Sequence, residues 1–100
     1  MDYIEWNYIQ AKRQAAKLSE QADRLDRLAG NSLSGTMQNL SNNWKGESAD
    51  AYLRKGEKMK SEIHTLAREL RRAASVICSS AERTYRAEMR ARELARKRKY

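Results

Sequence analysis

The 100-residue chain has no proline and no phenylalanine, one cysteine, one histidine and only four glycines. Each shortage excludes something. Without proline nothing forces a helix to stop, and a composition rich in Ala, Leu, Glu, Lys and Arg then points to an all-α chain. One thiol, Cys78, rules out an intrachain disulfide and any cysteine-rich zinc site. Set in Ala73-Ala74-Ser75-Val76-Ile77-Cys78, it reads as a small, half-buried apolar residue. His64 has Lys60, Ser61, Ala67 and Arg68 at helical distances, so neither a second metal ligand nor a carboxylate stands one turn away. There is no Gly-rich phosphate loop, nucleophile elbow or spaced Cys/His set. The expectation is a protein that is not an enzyme and binds no cofactor or metal. No apolar run approaches ~18 residues, so no transmembrane segment is expected. Met1-Asp2-Tyr3-Ile4-Glu5-Trp6 has neither a basic n-region nor an apolar h-region, which argues against a Sec-type leader.

Charge is abundant and uneven. Residues 1–50 carry six Lys/Arg against seven Asp/Glu, and residues 51–100 carry fifteen against six. The net charge of +8 belongs to the second half alone. Carboxylates lie at pairing distances from cations, as Glu69 does from Arg72, which is the pattern of a solvated helix face.

Apolar spacing supplies the architecture. Ile4, Tyr8, Ala11, Ala15, Leu18, Ala22, Leu25 and Ala29 alternate steps of four and three, as do Tyr52, Gly56, Met59, Ile63, Leu66, Leu70, Ala73 and Ile77. Each set lies on one stripe of a helix, and no strand uses this period. Leu53, Ala67, Ala74 and Ala81 widen the second stripe to a bundle-forming face. Gly30-Asn31-Ser32-Leu33-Ser34-Gly35 weakens the first segment, but Leu33, Met37 and Leu40 resume helical spacing up to Trp44. One long helix, bent at the glycines, is expected over about 4–42, a turn at 43–47, and a second helix over about 48–89. Residues 1–89 then form one domain, an antiparallel helical hairpin. A hairpin alone leaves part of each stripe wet, so pairing into a four-helix bundle dimer follows. Leu18, Leu25, Met59, Ile63, Leu66, Leu70 and Ile77 are the expected dimer interface. Residues 90–100 hold six Lys/Arg and one sizeable aliphatic, Leu94, and read as a basic, solvated tail.

The centre, Asn43-Trp44-Lys45-Gly46-Glu47-Ser48-Ala49, is the most distinctive stretch. Trp44 closes the hairpin end and Gly46 supplies a backbone angle that other residues resist. With its position near the midpoint, the small residues and aromatic of Ser48-Ala49-Asp50-Ala51-Tyr52, and the heptad-like flanks, the chain resembles the WXG family over about residues 4–89. These are ESAT-like, roughly hundred-residue substrates of type VII secretion. The resemblance implies a hairpin that forms a homodimer or heterodimer, is made in the cytoplasm and is secreted folded and leaderless. It implies a composite export signal, in which the Trp-x-Gly turn of one subunit lies near a C-terminal Tyr-x-x-x-Asp/Glu segment of its partner and is read by the secretion ATPase. Here Trp44 and Gly46 match the turn. Tyr85 matches the tyrosine, but the acid, Glu88, comes three residues on and Met89 holds the fourth place. The basic second half departs from the usual family member and suggests an acidic partner surface, another WXG-like protein or the LXG domain of a secreted toxin. The rival expectations are a basic helical nucleic-acid binder, less favoured because the tail lacks residues that read base edges, and a structural coiled-coil adaptor.

Overall fold

The computed structural model describes residues 2–98. Helix α1 runs Tyr3–Arg27, a wide-turned π-helical segment occupies Leu28–Leu33, α2 runs Ser34–Asn43, and α3 runs Glu47–Lys97. The first three are continuous in direction and fold back on α3 through Trp44-Lys45-Gly46. The fold is therefore an all-α antiparallel hairpin, 83 × 19 × 11 Å. Its radius of gyration of 22.7 Å compares with about 13 Å for a compact chain of this length. So extended a shape has almost no interior.

That interior is made of alanine. Among the described residues, Ala15, Ala22, Ala29, Ala49, Ala67 and Ala74 are the buried hydrophobic residues, and no larger side chain is fully buried. Ala15, Ala22 and Ala29 recur every seventh residue on α1 and the π segment, and Ala67 and Ala74 do so on α3. A methyl at the contact line lets two backbones approach closely, whereas a leucine there would hold them apart. Each buried methyl contributes only about 0.8 kcal/mol, so the seam sets geometry more than it supplies stability. Gly56 lies against α2 in the same way: a Cβ there would come 2.8 Å from the Met37 sulfur, so an alanine at this position would require the Met37 side chain to shift.

The two sides of this seam differ. One side is polar. Asp2 caps α1 by accepting from the Glu5 amide at 3.0 Å and takes the Arg92 guanidinium at 3.0 Å. Arg71 reaches both Asp23 (2.8 Å) and Asp26 (2.7 Å), and His64 Nδ1 lies 2.8 Å from the other oxygen of Asp26. The other side carries Leu18, Leu25, Ile63, Leu70 and Ile77, each only partly covered. Ile63 and His64 are neighbours in sequence yet fall on opposite sides of the alanine line, as do Leu70 and Arg71, because a heptad places such pairs to left and right of its centre.

Two expectations change. The seam of α3 is centred on Ala49, Ala67 and Ala74, so the Tyr52, Met59 and Leu66 arm of the expected stripe turns outward and is exposed. The second helix also does not end near residue 89. It continues to Lys97, held at Arg92 by Asp2, so residues 90–97 of the expected tail are helical and exposed. Lys99 and Tyr100 lie outside the described residues.

The π segment answers a phase slip in the sequence. Up to Ala29 the apolar steps alternate four and three, but from Ala29 they run four to Leu33, then four again to Met37. A π turn, bonded i to i+5, absorbs the extra residue and returns Leu33, Met37 and Leu40 to the seam side. The Ser34 hydroxyl donates to the Ala29 carbonyl at 3.0 Å across this wide turn. Deleting Gly30 is accordingly expected to convert the segment to regular α-helix, keep the downstream phase and leave the melting temperature unchanged or raised. Deleting Lys17, in a segment with no slack, should lower it sharply. Thermal circular dichroism of the two variants checks this, and equal losses would show that the segment does not absorb a slip.

Candidate functional site: the hairpin turn and the open end

Trp44, Lys45 and Gly46 form the one interhelical turn among the described residues. The Trp44 amide donates to the Leu40 carbonyl at 2.9 Å, closing α2, and Trp44 then leaves helical space at φ −138°, ψ 126°. Lys45 ties back by donating to the Ser41 carbonyl at 2.7 Å. Gly46 has φ 115° and ψ 178°, a region accessible essentially to glycine alone. Its carbonyl accepts from Asp50 at 3.0 Å, starting α3. Glu47 and Asp50 lie in the first turn, where the positive end of the helix favours them.

The turn holds an aromatic outward. Trp44 remains 39% exposed, and among the described residues its ring meets that of Tyr52, 5.5 Å between centroids and tilted by 46°. Tyr52 is itself exposed, with the Lys55 ammonium 5.9 Å above its ring. Trp44, Tyr52 and Lys55 thus form a solvent-facing aromatic–cationic cap, a surface suited to protein contact.

Tyr85 and Glu88 lie at the other end of the molecule, roughly 60 Å from Trp44 by helical rise. The hairpin does not bring the two parts of the expected signal together within one chain. Tyr85 stacks on Tyr8 of α1, with centroids 4.6 Å apart and planes at 26°. Both tyrosines, with Ile4, Ile77, Thr84 and Glu88, line an open groove of about 370 Å³. Of the seven expected interface residues, Leu18, Leu25, Ile63, Leu70 and Ile77 are half-buried beside the seam, while Met59 and Leu66 are exposed.

Sequence reasoning missed the partners across the seam. His64 has its carboxylate after all, in Asp26 at a separation of 38 residues, and Tyr85 has Tyr8. Nothing local signals either pair, since both depend on the register of α1 against α3. Among the described residues no group of three His, Cys, Asp or Glu is placed to hold a metal, and no helix is long and apolar enough to cross a membrane. The ion pairs hold carboxylates ionised. Asp26 is depressed first by the His64 hydrogen bond and then by Arg71, and Asp2 is lowered to about 2, chiefly by Arg92 and then by the Glu5 amide. In return Arg71 is raised, first by its hydrogen bond to Asp23 and then by that to Asp26, and Arg92 is raised by its bond to Asp2.

Comparison with protein-family models, with curated protein sequences and with solved structures finds no match to this chain.

Two measurements test this geometry. Gly46→Ala should destabilise the hairpin by about 1–3 kcal/mol through backbone strain alone, because no atom lies within 4 Å of the added Cβ. Gly35→Ala, equally open but in a helix, should stabilise it. Chemical denaturation of both decides the matter, and equal effects would remove the special role of Gly46. The lowered pKa of Asp2 means that its contribution is complete above its ordinary value of 3.8 and is lost as pH falls from there toward 2. Asp2→Asn should flatten that limb of the stability–pH curve, and an unchanged limb would show that the Arg92 contact is not formed in solution.

Proposed function

We propose that this chain is a WXG-like type VII secretion protein, acting as a substrate or as the secretion partner of another helical cargo. Its role is to complete a helical bundle and present a recognition turn. The observation that carries the reading is the centre of the chain: Trp44-Lys45-Gly46 is the turn of a long hairpin, Gly46 has a conformation only glycine readily takes, and Trp44 is left in solvent. Trp44, packed on Tyr52 yet 39% exposed at the tip, offers a partner an aromatic anchor held by the turn itself. The half-covered leucines and isoleucines on one side of the seam support a bundle partner, either a WXG-like protein or a toxin LXG domain.

In this reading the export signal is composite and the secretion ATPase reads it. Trp44 and Gly46 come from one subunit, and a tyrosine–acid helix comes from the other. An antiparallel pair of hairpins would set the turn of one beside the open end of the next, which is how parts about 60 Å apart in one chain could act together. Tyr85 and Glu88 are an imperfect version of the second part, and Tyr85 is already engaged with Tyr8. The turn is therefore the stronger contribution of this subunit, with a partner able to supply an intact tyrosine–acid helix. Export in this scheme is leaderless and the exported form is folded.

A basic helical nucleic-acid binder is the rival, supported by exposed Arg83, Arg86 and Arg90 on α3. It predicts a salt-dependent shift of short duplexes, lost on deletion of residues 90–100. The secretion reading predicts that Trp44→Ala abolishes or strongly reduces export from cells carrying the secretion system while the purified variant keeps its helicity and melting temperature. Undiminished export of a folded Trp44→Ala protein would refute recognition through the turn.

A further inference from the structure

The outward side of α1 has a character that the composition of the first half conceals. Residues 1–50 are close to neutral, with six Lys/Arg against seven Asp/Glu. Folding sorts these charges. Asp2, Asp23 and Asp26 lie along the polar side of the seam, where they hold Arg92, Arg71 and His64. The helix face opposite Ala15 and Ala22 is left with the cations.

That face is a line in alternating steps of three and four, beginning at Tyr3 and Trp6 and ending at Arg24 and Arg27. Arg13 and Lys17 lie midway, Glu20 is the one acid, and no aliphatic residue stands on the line. Arg13, Lys17, Arg24 and Arg27 are all exposed, and no ion pair among the described residues engages them. At the open end of the hairpin Tyr3 is 76% exposed and Trp6 50%, and neither stacks on another ring among the described residues. The line is straight over about 36 Å, because α1 ends before the π segment begins.

We infer that this face docks α1 lengthwise on an anionic lipid bilayer, with Tyr3 and Trp6 seated among the headgroups and the four cations over the lipid phosphates. Charge complementarity and the kind of aromatic carry the inference. Trp and Tyr pair an apolar body with a polar tip, and such rings settle at the boundary between water and hydrocarbon. Four cations against one acid supply the electrostatic half of the attachment, since a segment beside an anionic membrane gains with each Lys or Arg. A packed protein partner fits this face less well. Protein interfaces centre on apolar residues and are depleted of charge there, and beyond Trp6 the line holds no apolar residue at all. A nucleic-acid duplex would satisfy the cations and leave the two rings unused. The docking face is distinct from the turn and from the apolar side of the seam, and it does not depend on the secretion reading.

The chain has two tryptophans, so each can serve as the sole reporter. Trp44→Phe leaves Trp6, whose emission should shift to the blue on adding vesicles of equal parts phosphatidylglycerol and phosphatidylcholine, and should not shift with phosphatidylcholine alone. Trp6→Phe leaves Trp44, whose emission should stay unchanged with either. Co-sedimentation with the anionic vesicles at low salt reads the affinity. Arg13→Gln with Lys17→Gln should weaken it at least about tenfold. Arg72→Gln with Arg86→Gln removes the same charge from exposed positions of α3 and should weaken it less than about threefold. Circular dichroism checks that each variant keeps the native helicity. No binding to anionic vesicles, a blue shift at Trp44 in place of Trp6, or equal losses from the two charge variants would overturn the inference, the last by showing attraction to net charge alone. A short duplex that displaces the chain from the vesicles and binds through Arg13 and Lys17 would give the line to nucleic acid and overturn it too.

Discussion

Everything in this molecule follows from a contact line too narrow for any side chain larger than a methyl. Ala15, Ala22 and Ala29 on one segment meet the line of Ala67 and Ala74 on the other, and the two backbones lie close enough that leucines and isoleucines are displaced to the sides. Close approach fixes register. Register in turn brings Asp2 to Arg92, Asp23 and Asp26 to Arg71, and Tyr8 to Tyr85. A leucine seam would have buried more apolar area within one chain and left little for a partner. The alanine seam trades that interior for an exterior face.

The two sides of the seam divide the work. Carboxylates of α1 meet cations of α3 on one side, and these exposed pairs are worth little individually but penalise a shifted register. The other side is left apolar and open. The basic excess of the second half is thereby partly explained: Arg71 and Arg92 answer the acids of α1. At the tip, Gly46 turns the chain and leaves Trp44 facing water beside Tyr52, so the turn and the apolar side form two separate surfaces for partners.

Much of this was legible in the sequence. The steps of three and four gave the helices, Trp44 and Gly46 marked the turn, and three successive steps of four, Leu25 to Ala29 to Leu33 to Met37, carry the phase slip that the π segment absorbs. Three things were not legible. The outward rotation of Tyr52, Met59 and Leu66 depends on which of two adjacent lines forms the seam, and Ala49, Ala67 and Ala74 won because methyls allow the closer approach. The continuation of α3 past residue 89 has no apolar signature, since it rests on helix propensity and on the Arg92–Asp2 pair. The His64–Asp26 and Tyr8–Tyr85 pairs join residues far apart in the chain, and periodicity says nothing about cross-helix register.

The central claim is that a small-residue hairpin of this kind is half of a structure. Sedimentation equilibrium of the native chain across a wide concentration range tests it most directly. The expected result is a pair: twice the 11.6 kDa chain mass for the chain alone, or the summed mass of the two chains when a helical partner is added. A species of 11.6 kDa up to roughly 100 µM that also stays unpaired when candidate helical partners are added would contradict it.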